Sequence, residues 1–139
     1  MDTCFKTSSP RGFTLVEVLV VLGMVGIVAG GAVPSYLAYV KKCRARAAAE
    51  DLATLAIKME QIGQRRLQYQ PFDEGTAASA GLFPGWEPSM GQYFSYTVAS
   101  SATAYTLRAA GQGSSAGCNL VLDSIGRATS SSACGFSNW

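Results

Sequence analysis

From Phe13 to Val40 the chain carries one charged side chain, Glu17, in an otherwise apolar run. Phe13 to Val33 alone supplies 21 residues, and about 20 are needed for a helix to cross the hydrocarbon core of a bilayer. Leu, Val, Ile, Met and Ala dominate. Gly23, Gly26, Gly30 and Gly31 are frequent for a soluble helix but ordinary in a membrane one. Gly26 and Gly30 form a small-xxx-small pair, which lets helices approach closely. A carboxylate near the start of such a segment is costly to bury, so it requires a partner and a role.

A polar leader with Lys6 and Arg11 precedes the run and ends in Gly12, and Phe13-Thr14-Leu15-Val16-Glu17 follows. This order of basic leader, glycine, Phe-Thr-Leu, apolar residue and glutamate resembles the prepilin signal of type IV pilins and of the related pseudopilins of type II secretion. An ordinary secretory signal keeps its apolar region ahead of the cut and ends at small residues; here the apolar region would be retained. The resemblance implies that a membrane peptidase cleaves between Gly12 and Phe13 and N-methylates Phe13. It also implies that residues 1–12 are a cytoplasmic leader and that 13–40 are a transmembrane and assembly helix. The plainer alternative is a single-pass anchor with an incidental glycine, which leaves Glu17 unexplained. The positive-inside count disagrees with the motif, because Lys41, Lys42, Arg44 and Arg46 outweigh Lys6 and Arg11. The motif is taken over the count, since prepilins keep their leader cytoplasmic.

Glu17 needs charge neutralisation. In the family reading it pairs with the freed α-amine of Phe13 on a neighbouring subunit. Two charges that are costly alone thereby become a register device, and a helix N-terminus also favours the carboxylate. Pro34 removes one backbone hydrogen bond and predicts a kink. A helix ending at Val33 is the alternative, but Tyr36-Leu37-Ala38-Tyr39-Val40 continues without turn chemistry. Pilins carry a proline here, and the resemblance implies local unwinding around it in a filament.

From Lys41 to about Leu67 the pattern becomes amphipathic: Ala48, Leu52, Leu55, Ala56, Met59, Ile62 and Gly63 share a face at helical spacing. A helix over 13–66 would extend about 80 Å. Residues 70–92, with Pro71, Pro84 and Pro88, read as a long loop pinned by Phe72, Leu82, Phe83 and Trp86. Strand-like runs follow at Tyr93–Val98, Tyr105–Ala109 and Cys118–Asp123, then a Ser-rich segment closed by Cys134. The resemblance implies an α+β pilin fold: a long N-terminal helix on a small antiparallel sheet over 93–139, with a C-terminal disulfide loop. In an exported domain Cys118 and Cys134 are expected to bridge, with free thiols as the alternative. Cys43 reads as a small apolar helix residue. The tail, with Cys118, Asn119-Leu120-Val121-Leu122-Asp123, Ile125-Gly126-Arg127, Cys134 and Trp139, is similar to that of small pilins classed with minor pilus subunits.

The sequence contains no histidine, which removes the commonest general base and metal ligand. No catalysis, cofactor or metal is expected, and Asp123 is too isolated to argue for calcium. The cluster Lys41, Lys42, Arg44, Arg46 reads as phospholipid-headgroup contact or a solvated face; salt bridges between subunits and DNA binding are the alternatives. The expected function is that of a structural subunit, major or minor, of a type IV pilus. Its expected partners are other pilins, the prepilin peptidase and methyltransferase, the inner-membrane assembly platform and, before assembly, membrane lipid. The expected location is the bacterial inner membrane, then a periplasmic or extracellular filament. Adhesion, twitching motility and DNA uptake are family-level roles. A type II secretion pseudopilin and a DNA-receptor pilin are the alternatives. For the latter, Arg108 and Arg127 alone make a thin basic patch.

Overall fold

The computed structural model describes residues 12–137 and Trp139; the leader positions before Gly12, including Cys4, Lys6 and Arg11, lie outside the described residues. One helix, α1 (Leu15–Arg66), precedes five strands: β1 (Phe72–Ala77), β2 (Phe94–Ser100), β3 (Tyr105–Gly111), β4 (Asn119–Asp123) and β5 (Ala128–Ser130). The chain divides after Tyr36 into two compact units. In the first, every described side chain of α1 is exposed, including Val20, Leu22, Met24 and Ile27. By length and composition this part of α1 is able to cross a membrane. The helix runs through Pro34 without interruption.

The second unit, Leu37–Trp139, is a two-layer head. The strands follow one another in space as in sequence, β1-β2-β3-β4-β5, all antiparallel. Alternation sets the faces. Phe94, Tyr96 and Val98 of β2, Tyr105, Leu107 and Ala109 of β3, and Leu120 and Leu122 of β4 are buried toward α1. From α1 come Ala48, Leu52, Leu55 and Met59, which share the face expected from helical spacing, together with Ala45 and Ala49, which that spacing leaves off it, while Ala56 and Ile62 are only partly buried against the core. The three alanines Ala45, Ala48 and Ala49 let the helix lie close to the strands. Phe83 and Trp86 close the core, while Leu82 stays exposed.

The stretch read from sequence as one loop, 70–92, contains β1. Its Asp73-Glu74-Gly75 centre is exposed and lacks the apolar alternation that marks a strand, because β1 is an edge strand. Its register with β2 also shifts between Phe72, opposite Ser100, and Thr76, opposite Val98. An irregular edge of this kind discourages pairing with other chains. Cys118, just before β4, and Cys134, after β5, form a disulfide across a sequence separation of 16. Cys43 is a free, exposed thiol.

Candidate assembly segment and nucleic-acid interface

Gly12 and Phe13 lie in exposed, non-helical backbone, with Phe13 83 % accessible. Helix α1 begins immediately after Thr14, whose Oγ1 accepts the Glu17 N–H at 3.2 Å. Thr14 and Glu17 thus stand in the Thr-x-x-Glu spacing of a capping box. The carboxylate sits in the first turn, where the helix dipole favours it. Phe13, Glu17, Val18 and Val21 line one open cleft of about 250 Å³. The structure therefore brings Phe13 and Glu17 together. Among the described residues no basic side chain pairs with the Glu17 carboxylate.

The basic cluster after the apolar run is mostly engaged within the head. Lys41 Nζ donates to the Ala116 carbonyl at 3.1 Å. Arg44 donates to Ser114 Oγ at 2.7 Å and stacks 4.0 Å over the Tyr93 ring. The Lys42 stem lies against Gly135. Three cations read from sequence as headgroup contacts or a solvated face instead clasp the 113–117 loop and the disulfide-bounded tail. Arg46 is exposed and lines a groove of about 440 Å³ with Glu50, Phe136 and Trp139.

Arg108 and Arg127 do not form a patch. Arg108 projects from the solvent face of β3, where it pairs with Glu74 at 3.6 Å. Arg127 is exposed in the β4–β5 turn, whose N–H groups at Ile125 and Arg127 donate to Asp123 Oδ1. A different cationic surface lies along the C-terminal part of α1. Lys58, Gln61 and Arg65 line a groove of about 230 Å³ with Ile62, Phe83 and Pro84. Arg66 and Gln64, in the last turn of α1, are also exposed, and Gln64 lines a separate groove with Glu60 and Tyr69.

Two carboxylates fix this region. Asp51 is 8 % exposed yet accepts four hydrogen bonds: from Ser89 N and Oγ at 3.1 and 2.9 Å, Met90 N at 3.0 Å and Tyr96 OH at 2.6 Å. Trp86 Nε1 donates to the Asp51 carbonyl at 3.3 Å and to Thr54 Oγ1 at 3.2 Å. Glu60 Oε1 accepts the hydroxyls of Tyr69 at 3.0 Å and Tyr105 at 2.9 Å. Burial first, and the neighbouring carboxylate second, push the phenols of Tyr96 and Tyr105 well above the ordinary tyrosine value. Neither carboxylate was singled out from sequence. For Asp51 a signal existed, since it falls three residues after Ala48 and four before Leu55, on the buried stripe. Among the described residues no group of three or more potential metal ligands is assembled.

Residues 34–121 match the family model described as type IV minor pilin ComP, DNA uptake sequence receptor. That match covers more than half of the chain. The chain belongs to this type IV minor pilin family. Residues 7–33 match the prokaryotic N-terminal methylation motif, so the two matches in this minor pilin adjoin at Pro34. Pilin families are structural rather than enzymatic, and the family implies assembly with other pilins and processing by a prepilin peptidase. A methylation motif leading an exposed apolar helix is consistent with a membrane-anchored pilus precursor.

Proposed function

We propose that this minor pilin is the DNA-receptor subunit of a type IV pilus and carries out no catalysis itself. The single observation that carries the proposal is the match over 34–121 to a minor pilin described as a DNA uptake sequence receptor. The cationic groove of Lys58 and Arg65, which Gln61 also lines, supports it chemically. Lysine and arginine neutralise phosphates with release of counterions, and a glutamine amide can pair bidentately with adenine in the major groove.

The N-terminal segment serves assembly in this reading. Residues 1–12 are removed after Gly12, Phe13 is methylated, and 13–40 anchor the precursor in the inner membrane with the leader cytoplasmic. Glu17 then neutralises the Phe13 amine of a neighbouring subunit, and Pro34 marks where α1 yields on packing into the fibre. The assembly platform draws the precursor from lipid. A type II secretion pseudopilin would share the processing motif, but the match over 34–121 favours the pilus.

The test is duplex binding by the detergent-solubilised full chain across a salt series. We expect binding that weakens linearly on a log–log plot of affinity against salt. Lys58→Ala and Arg65→Ala should each lower the slope by about one. A chain that binds no duplex at low salt would remove the receptor role and leave the pilus-subunit role standing.

A further inference from the structure

Leu67 combines two unfavourable choices. Its side chain is 93 % exposed, and its backbone is left-handed, with φ of 57°. The residue just after a helix is ordinarily glycine or asparagine when it adopts that conformation, because a Cβ is crowded there. Leu67 is the only non-glycine residue with positive φ among the described residues. A strained backbone that holds an apolar side chain in water suggests a contact made with something else.

The turn that holds Leu67 out is built rigidly. Helix α1 ends on one side at Arg66. On the other, Tyr69 N donates to the Ala102 carbonyl at 3.1 Å, and its hydroxyl donates to Glu60. The Tyr69 ring meets Tyr105 edge-on at 5.0 Å and packs against Gly63, where a Cβ would stand 2.7 Å from it. Arg65 and Arg66, both exposed, immediately precede Leu67. Glu60 is the sole carboxylate lining the adjoining groove of about 360 Å³, and it is occupied by two phenols. The surface is therefore an apolar knob beside two cations.

Resting on the DNA-receptor reading, we infer that Leu67 is an apolar wedge that enters a base step of duplex DNA while Arg65 and Arg66 hold its phosphates. Leucine is among the side chains that unstack a step and kink the duplex by about 20–90°. Charge complementarity selects this occupant over an apolar protein surface, which would have to desolvate both guanidiniums. The fixed turn presents the wedge with little ordering cost on binding.

The experiment uses the full chain in detergent micelles, a pool of end-labelled random-sequence duplexes, and fluorescence transfer between the ends to read bending. Leu67→Gly relieves the left-handed strain, so its melting temperature should equal or exceed that of the parent. Its duplex affinity should nevertheless fall on the order of tenfold, with the bend lost and the salt slope unchanged. Leu67→Met should retain affinity and bend, and Arg66→Ala should lower the salt slope by about one. If Leu67→Gly binds and bends the duplex as the parent does, the wedge is overturned and the receptor role survives. If the parent binds no duplex, both fall together. If the change instead weakens capture of the nanodisc-held chain by phosphatidylglycerol vesicles, with duplex affinity unaltered, the surface is a lipid contact and the proposal is overturned.

Discussion

Asp51 joins three parts of the head through one carboxyl group: its own helix, the Ser89–Met90 segment and the centre of β2. Removing it leaves two backbone N–H groups and two hydroxyls without their acceptor, the Tyr96 hydroxyl in a buried position and the Ser89 and Met90 groups in part-buried ones. One lost partner of this kind costs about 1–3 kcal/mol, and more where the bond was charge-assisted. Asp51→Ala should therefore destabilise the head by about 1–3 kcal/mol or more, read by denaturant unfolding followed through tryptophan fluorescence. Trp86, whose indole bonds the same residue, is the reporter. A loss below about 1 kcal/mol, the worth of an ordinary surface bond, would contradict this account. Tyr96 gives the matching pH dependence. Its phenol is held protonated in the folded state by burial and by Asp51. The unfolded chain releases that proton near pH 10, while the folded chain does not. Stability is then complete below about pH 10 and declines as the pH rises above it. Tyr96→Phe should flatten that decline, and melting curves between neutral and strongly alkaline pH measure the difference.

At the scale of elements, Gly63 shows how the end of α1 is fixed. In an exposed helix, glycine to alanine gains about 1 kcal/mol from propensity. Here the added methyl would meet the Tyr69 ring at 2.7 Å, and that ring is held by Glu60, Ala102 and Tyr105. Displacement of the ring should outweigh propensity, so Gly63→Ala is expected to lower the melting temperature, and a rise would refute this packing. Legibility from sequence follows the same division between local pattern and distant partner. The stripe Ala48, Leu52, Leu55, Met59 and the strands around Tyr96, Leu107 and Leu120 carry periodicities of their own, so they stand out unaided. Strand β1 does not, because an edge strand around Asp73-Glu74-Gly75 gains its order from β2 alone. Glu60 was equally silent, since its tyrosine partners lie 9 and 45 residues away. The cations after Val40 could be counted in the sequence. Their docking on Ala116, Ser114 and Tyr93 is a tertiary fact.

For the whole molecule, Thr14 and Glu17 admit two explanations that magnitude separates. One is local: Glu17 completes a helix start together with Thr14, a contribution of about 1 kcal/mol or less. The other is intermolecular: Glu17 neutralises an amine that would otherwise enter an apolar layer unpaired, at a cost of several kcal/mol. Glu17→Val removes both, whereas Thr14→Ala removes mainly the local one. Under the assembly reading, both variants are cleaved normally after Gly12, as N-terminal sequencing of the membrane-extracted protein would show. Glu17→Val should fall at least tenfold in sheared pili relative to membrane, because several kcal/mol exceeds the 1.4 kcal/mol that a factor of ten requires. Thr14→Ala should remain within a few-fold of the parent. Equal incorporation of Glu17→Val would reduce the carboxylate to a helix cap and detach the apolar segment from filament register. Equal loss in both variants would place the requirement in the helix start itself.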